Sequence, residues 1–203
     1  MRQNPELKMA VLANAFFWFL GALLLLNTVL YASDVLHVDE AHSSYLLASL
    51  GLGIGTGSFL AGFLSGRKIE SGMILPGLAG VAGFCMFLSW PGLSYANALA
   101  LLIFVGICGG FFVVPVNAWI QQIPGPEEKG RVIAVANLLS FIGVGLQPLA
   151  QFALLRLGHP APTRVFLIAG LACAVIAAAI AAQYPNLRSA ALGWTRIRRS
   201  VTL

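Results

Sequence analysis

The chain has 203 residues, of which 59% are hydrophobic and 9% are charged, and its formal net charge is +5. An ordinary soluble domain is roughly 25% charged, so this composition excludes a water-soluble globular protein. The positive charge does not indicate nucleic-acid binding, because the basic residues lie at the ends of apolar runs. The three cysteines, Cys85, Cys108 and Cys173, form no CxxC pair and therefore indicate neither a zinc ribbon nor a redox motif.

Six apolar runs are long enough to cross a bilayer, which takes about 20 residues of helix. We predict spans at residues 7–32, 43–65, 73–90, 95–121, 132–155 and 165–184. The hairpin between the fourth and fifth runs is predicted to be a polar turn that carries Glu127, Glu128, Lys129 and Arg131. The sequence thus predicts an all-α membrane protein, with a six-helix transmembrane bundle at residues 1–185 and a basic cytoplasmic tail at residues 186–203.

The basic residues predict the orientation, because short cytoplasmic loops retain Lys and Arg. Two of the 12, Arg156 and Arg164, fall on one side of the predicted spans. The other ten fall on the opposite side: Arg2, Lys8, Arg67, Lys68, Lys129, Arg131, Arg188, Arg196, Arg198 and Arg199. We therefore predict a multi-pass protein of the cell inner membrane with both termini in the cytoplasm.

Small residues recur at every fourth position of the second span and form one helix face. They are Ser49, Gly53, Gly57, Ala61 and Ser65. In lipid, such faces let helices approach closely and associate by packing. Gly106 and Gly110 repeat the pattern in the fourth span.

Uncharged polar side chains are the candidate site, because no charged residue lies in the interior of any predicted span. Amides that faced lipid would leave donors and acceptors unpaired, so we expect them to face inward. The candidates for substrate contact are Asn14, Trp18, Asn117, Gln121, Asn137, Gln147 and Gln151. Hydrogen bonding between helices is the alternative role, worth about 0.6–2 kcal/mol per bond in membranes. Pro115 and Pro148 each remove a helix hydrogen bond near these amides.

The sequence predicts no catalytic site, cofactor or metal. Ser65-Gly66 could suggest a serine hydrolase, but no histidine lies within a span to act as its base. The three histidines, His37, His42 and His159, all fall in predicted outer loops. We therefore expect a protein that is not an enzyme.

Four stretches carry a family resemblance: AVLANAFFWFLGALLLLNTVLY, GIGTGSFLAGFLSGRKIESG, FFVVPVNAWIQQ and EEKGRVIAVANLLSFIGVG. They resemble the carboxy-terminal six-helix half of a major facilitator superfamily transporter, in its lysophospholipid-transporter-like branch. The resemblance extends to about Tyr184. It implies two inverted three-helix repeats and a cavity completed by a second half. It also implies transport of lysophospholipid across the inner membrane.

The resemblance further implies a gating loop between the second and third helices, where this chain has Arg67, Lys68 and Glu70. Arg131 is a candidate latch of the inner gate, and hydration of the hairpin is its alternative role. The expected partners are membrane lipids, a lysophospholipid or another small amphiphile as substrate, and a second six-helix half or a second copy in a homodimer.

Two classes of function stay open. The chain is expected to be half of a transporter that works by alternating access. The alternative is a non-transporting membrane scaffold or subunit, or a truncated inactive remnant of a fused transporter–acyltransferase. Crosslinking would separate a transporter half from a scaffold. A scaffold should capture another protein, whereas a transporter half should capture another facilitator half or itself.

Overall fold

The computed structural model describes residues 4–65, 71–156 and 161–191, with only the backbone at residues 155 and 156. Its helices are α1 (Pro5–Asp34), α2 (Glu40–Ser65), α3 (Ile74–Leu88, preceded by a 3-10 turn at Ser71–Met73), α4 (Tyr95–Gln122), α5 (Pro126–Arg156) and α6 (Pro162–Gln183). All six, α3 counted with its 3-10 turn, are long and apolar enough to cross a membrane. This confirms the prediction of an all-α membrane protein with six spans.

Polar caps and prolines determine where several helices begin. The side-chain oxygen of Asn4 accepts hydrogen bonds from the backbone N–H groups of Glu6 and Leu7, at 3.1 and 3.2 Å, and Pro5 occupies the first turn of α1. Ser94 caps α4 in the same way, accepting from the N–H of Asn97 at 3.3 Å. Such caps satisfy N–H groups that the helix itself leaves unpaired.

The structure corrects the predicted polar turn between the fourth and fifth spans. Helix α5 begins at Pro126, so Glu127, Glu128, Lys129 and Arg131 lie in its first turns rather than in a loop. Proline is favoured at the first helical position, and two glutamates there interact favourably with the positive end of the helix dipole. The polarity of this segment is therefore that of a helix start and not of a turn. Helix α2 likewise begins at Glu40, which places His42 in a helix and not in the predicted loop.

The small-residue face of α2 packs directly on α4. A Cβ atom added to Gly53 would collide with the backbone of Ile103, and one added to Gly57 would collide with the backbone of Ile107. On the opposite surface, a side chain at Gly110 would collide with the backbone of Gly57. The predicted close approach through glycines is therefore confirmed, since only glycine leaves room for these two backbones.

The pattern of helix contacts is that of two similar three-helix units. One unit is α1 to α3 and the other is α4 to α6, so that α1 corresponds to α4, α2 to α5 and α3 to α6. Under this correspondence the α2–α4 contact matches the α1–α5 contact, and the α3–α4 contact matches the α1–α6 contact. The α1–α2 contact likewise matches the α4–α5 contact, and the contacts between α1 and α4 and between α3 and α6 each map onto themselves. This is the arrangement expected of half of a facilitator fold built from inverted repeats.

The segment after α6 begins against the bundle. Leu187 is buried, and the hydroxyl of Tyr184 donates a hydrogen bond of 3.0 Å to the carbonyl of Pro5 at the start of α1. Residues 192–203 of the predicted cytoplasmic tail lie outside the described residues. The division into bundle and tail therefore stays a prediction.

Candidate functional site

A single buried strip of α5 faces α1. Its members recur every three or four residues, as one face of a helix does: Val132, Ala136, Ser140, Gly143, Gln147 and Gln151. At Gly143 an added Cβ would lie 2.9 Å from the carbonyl oxygen of Ala15, so the two backbones are close there. Three of the six residues, Ser140, Gln147 and Gln151, are polar. We call the contact between this strip and α1 the seam.

Asn14 and Ser140 join the two helices near the middle of the seam. The Nδ2 group of Asn14 donates a hydrogen bond of 2.8 Å to Oγ of Ser140. The same hydroxyl donates to the carbonyl of Ala136, one turn earlier in α5, at 2.8 Å. The Oδ1 atom of Asn14 is buried and has no hydrogen-bond partner among the described residues. Asn14 therefore has one acceptor that is still available.

Gln147 and Gln151 continue the seam one and two turns beyond Gly143. Each is only 6% exposed. The Nε2 atom of Gln147 and the Oε1 atom of Gln151 have no hydrogen-bond partner among the described residues. An unsatisfied buried polar group costs about 1–3 kcal/mol, so these amides are suited to bind a polar group that reaches the seam.

A groove opens beside the seam and is lined by Trp18, Asn137, Ser140, Phe141 and Val144. Its volume is about 420 Å³, within the range of roughly 300–1,000 Å³ found for small-molecule sites. Asn137 and Ser140 supply polar atoms, whereas Trp18 and Phe141 supply aromatic surface. Trp18 is 50% exposed and Phe141 is 76% exposed. The groove can therefore bind a molecule that has both a polar and an apolar part.

The structure brings together only part of the predicted set. Asn14, Trp18, Asn137, Gln147 and Gln151 all belong to the α1–α5 seam or its groove. Asn117 is half-buried and Gln121 is exposed near the end of α4, and neither lines the groove.

Of the four predicted gating residues, only Arg131 lies among the described residues. Arg67, Lys68 and Glu70 lie outside the described residues. Arg131 donates from Nη2 to Oε1 of Glu128 at 2.7 Å, and both side chains are exposed. Its partner is therefore three residues away on α5, and this pair does not connect two helices.

The buried polar groups outside the set of sequence candidates include those of Ser140, Asn27 and Tyr31. Ser140 lies seven residues before Gln147, two turns away on the same helix face, and that spacing could have revealed it. Asn27 donates from Nδ2 to the carbonyl of Pro162 at 3.0 Å, while its Oδ1 has no partner among the described residues. Tyr31 packs edge-on against Phe166, with its hydroxyl buried. The amide of Asn27 is a group that lipid would not accommodate, so its inward orientation follows from the sequence. No sequence pattern distinguishes Tyr31 from residues that face lipid.

These features define a class, namely a polytopic helical membrane protein with a polar seam between two spans. The sequence of residues 1–148 matches the family model of the Major Facilitator Superfamily. The chain belongs to this superfamily.

Curated relatives add detail to this assignment. The chain is 35% identical over 139 residues to the lysophospholipid transporter LplT of Escherichia fergusonii, and the match covers 67% of this chain and 34% of that protein. It is equally similar, over the same shares, to the transporter of that name from Salmonella arizonae. The identity to the transporter of Escherichia coli O157:H7 is 34% over 140 residues. The chain thus matches about a third of the length of these relatives.

Proposed function

We propose that this chain is half of a membrane transporter that moves a lysophospholipid, or another small amphiphile, across the inner membrane. The observation that carries the proposal is the α1–α5 seam, where buried amides with available polar atoms adjoin an aromatic groove. The relatives named as lysophospholipid transporters support the choice of substrate.

The groove matches the two parts of such a substrate. A lysolipid combines a polar headgroup with one acyl chain, and the groove combines Asn137 and Ser140 with Trp18 and Phe141. All five residues that line the groove are uncharged. A phosphate group is usually bound by Arg or Lys, so the cation for the headgroup is expected to come from the second half.

We further propose that alternating access requires a second six-helix bundle, either a separate half or a second copy of this chain. Helix α2 offers a surface for it. Gly51, Gly55 and Gly62 are exposed, and a side chain added to any of them would point into open space. Glycines on an unoccupied face permit close packing of another helix.

A reconstitution experiment tests the transport proposal. The purified chain, alone and with candidate partner halves, is placed in liposomes, and transfer of a fluorescent lysophospholipid between leaflets is measured. Asn137→Leu should reduce the transfer rate, because it removes the exposed polar group of the groove. Asn97→Leu is the matched control, since Asn97 is an exposed amide outside the groove. Failure to transfer lysolipid with every partner, or equal loss in both variants, would refute the proposal.

A non-transporting scaffold is the second candidate, and two contacts favour it. Asn14 and Asn27 each donate a hydrogen bond to another helix or its first turn, at 2.8 and 3.0 Å, which is how amides hold membrane helices together. Crosslinking from Cys introduced at Gly55 separates the two functions. A scaffold should capture an unrelated membrane protein, whereas a transporter half should capture another facilitator bundle or itself.

We propose that both termini face the cytoplasm, on the basis of the ten-to-two distribution of the basic residues. Reporter fusions at Gly125 and in the α1–α2 loop test this orientation. A reporter that is active only in the cytoplasm should be active at Gly125 and inactive after His37. The reverse pattern would overturn the orientation without affecting the transport proposal.

A further inference from the structure

A second groove lies between the start of α1 and the end of α6. Its volume is about 390 Å³. It shares no lining residue with the groove beside Ser140, because it faces α6 whereas the other faces α5. Neither the family assignment nor the proposed transport accounts for it.

This groove is polar at one end and apolar along its length. Lys8, Gln183 and Tyr184 line the end nearest the start of the chain, while Leu12, Phe16 and Ile176 line the part that extends into the membrane. Lys8 and Phe16 are eight residues apart, which at 1.5 Å per residue is about 12 Å along the helix axis. Leu12 is 63% exposed, so the apolar part is open to lipid.

Lys8 is the cation of this groove. It is exposed and forms no ion pair with the described residues. Glu6, the acidic residue nearest in the chain, lies two positions earlier and so about 200° around the helix. The first N–H groups of α1 are satisfied by Asn4. The positive charge at the groove is therefore not neutralised by a neighbouring carboxylate.

We propose that this groove binds one acyl chain of an anionic diacyl phospholipid, with Lys8 at the phosphate. The occupant follows from charge complementarity at one end and from the length and polarity of the walls. Gln183 offers an amide donor beside the phosphate, and the second acyl chain lies outside the groove in the bilayer. Basic groups between helix ends recognise anionic headgroups in this way. The lipid holds the end of α6 against the start of α1, where Tyr184 already bonds Pro5.

Native mass spectrometry of the detergent-purified chain tests the proposal. Retention of phosphatidylglycerol is compared with that of phosphatidylcholine, which carries no net charge. The wild type should retain phosphatidylglycerol preferentially. Lys8→Gln should lower that preference about fivefold, which corresponds to the roughly 1 kcal/mol that a basic residue contributes near an anionic surface. Lys129→Gln removes an exposed cation outside the groove and should leave the preference unchanged.

A steric pair of variants tests the position of the acyl chain. Ala179 lines the groove, whereas the adjacent Ala178 does not, and both are exposed. Ala179→Phe should therefore reduce retention of both lipids severalfold, and Ala178→Phe should not. Melting temperatures of the four variants confirm that each is folded.

Three results would overturn the proposal. Equal effects of Lys8→Gln and Lys129→Gln would mean that the preference is a general effect of net charge. Unchanged retention in Ala179→Phe would place the lipid elsewhere. Retention of lysophosphatidylglycerol but not of the diacyl lipid would assign the groove to a single-chain ligand. These results are independent of lysolipid transfer in liposomes, so the two proposals can fail separately.

Discussion

Asn14 on α1 donates a hydrogen bond of 2.8 Å to Ser140 on α5, 126 residues further along the chain. Both side chains are buried, and the carbonyl of Ala136 accepts the hydroxyl proton. This contact fixes α5 on α1 at the point where the aromatic groove opens, so it links the stability of the bundle to the geometry of the candidate site.

Removing this hydrogen bond should destabilise the bundle measurably. Asn14→Leu and Ser140→Ala are expected to lose a shared interaction of about 0.6 kcal/mol, with an upper limit of roughly 1.7 kcal/mol. The measurement is a double-mutant cycle of unfolding free energies in detergent. Thr28→Val is the control, because Thr28 is buried but bonds only the carbonyl of Leu24 in its own helix. Combined with Asn14→Leu it should be additive, and additivity of the Asn14 and Ser140 variants would contradict the prediction.

Two glycines of α2 should respond in opposite ways to alanine. Gly57→Ala places a Cβ against the backbone of Ile107 and should destabilise the chain by about 1–3 kcal/mol, as overpacking does. Gly55→Ala points into open space and should be neutral, or stabilising by less than about 1 kcal/mol through helix propensity. Thermal unfolding of both variants provides the comparison. A similar loss at both positions would mean that α2 does not pack on α4 as described.

The pair Arg131–Glu128 should contribute little to stability. Both side chains are exposed, and such pairs within one helix are worth about 0.3–0.5 kcal/mol. Arg131→Gln should therefore barely change the melting temperature, at low or high salt. If Arg131 is a latch of the gate, the same variant will reduce lysolipid transfer while Glu128→Gln will not. Equal lysolipid transfer in the wild type and in both variants would leave hydration of the helix start as the role of Arg131.

The start of α2 should loosen at acidic pH. The pKa of Asp39 is lowered because its carboxylate accepts hydrogen bonds from the backbone N–H of His42 and from the His42 ring. A carboxyl whose pKa is lower in the folded state stabilises it above the ordinary pKa, about 3.9. That contribution is lost as the pH falls through the lower folded value.

The measurement is the protection factor of the His42 amide, that is, its hydrogen-exchange rate relative to the intrinsic rate of an unprotected amide at the same pH. The protection factor should fall below about pH 4 in the wild type. Asp39→Asn should remove this pH dependence, since its amide does not titrate in the range. A pH dependence that survives in Asp39→Asn would assign the effect to another group.

Much of the architecture could be predicted from the sequence. Long apolar runs without interior charges are stable as helices in lipid, because there the backbone must satisfy its own hydrogen bonds. The contact through Gly53 and Gly57 was also predictable, since four-residue spacing places small residues on one face. The start of α5 could not be predicted, because polar residues such as Glu127 and Glu128 occur both in loops and in the first turn of a helix.

Only part of the candidate site could be predicted from the sequence. The sequence identified Asn14, Gln147 and Gln151 as polar residues that lipid would not accommodate, but it could not tell which partners they have. Ser140 lies on the same helix face as Gln147, but its hydrogen bond with Asn14, 126 positions away in the chain, is visible only in the tertiary structure.

By itself, then, the sequence determined that the chain crosses a membrane six times and which residues must avoid lipid, because both follow from the transfer of side chains and backbone between water and hydrocarbon. Only the tertiary structure decided which contact between helices contains these amides. It placed Asn14, Gln147 and Gln151 in one seam and left Gln121 exposed. The physical reason is that an apolar solvent favours no particular helix pairing, so the partners of α1 and α5 depend on the shapes and hydrogen bonds of surfaces that are distant in the chain.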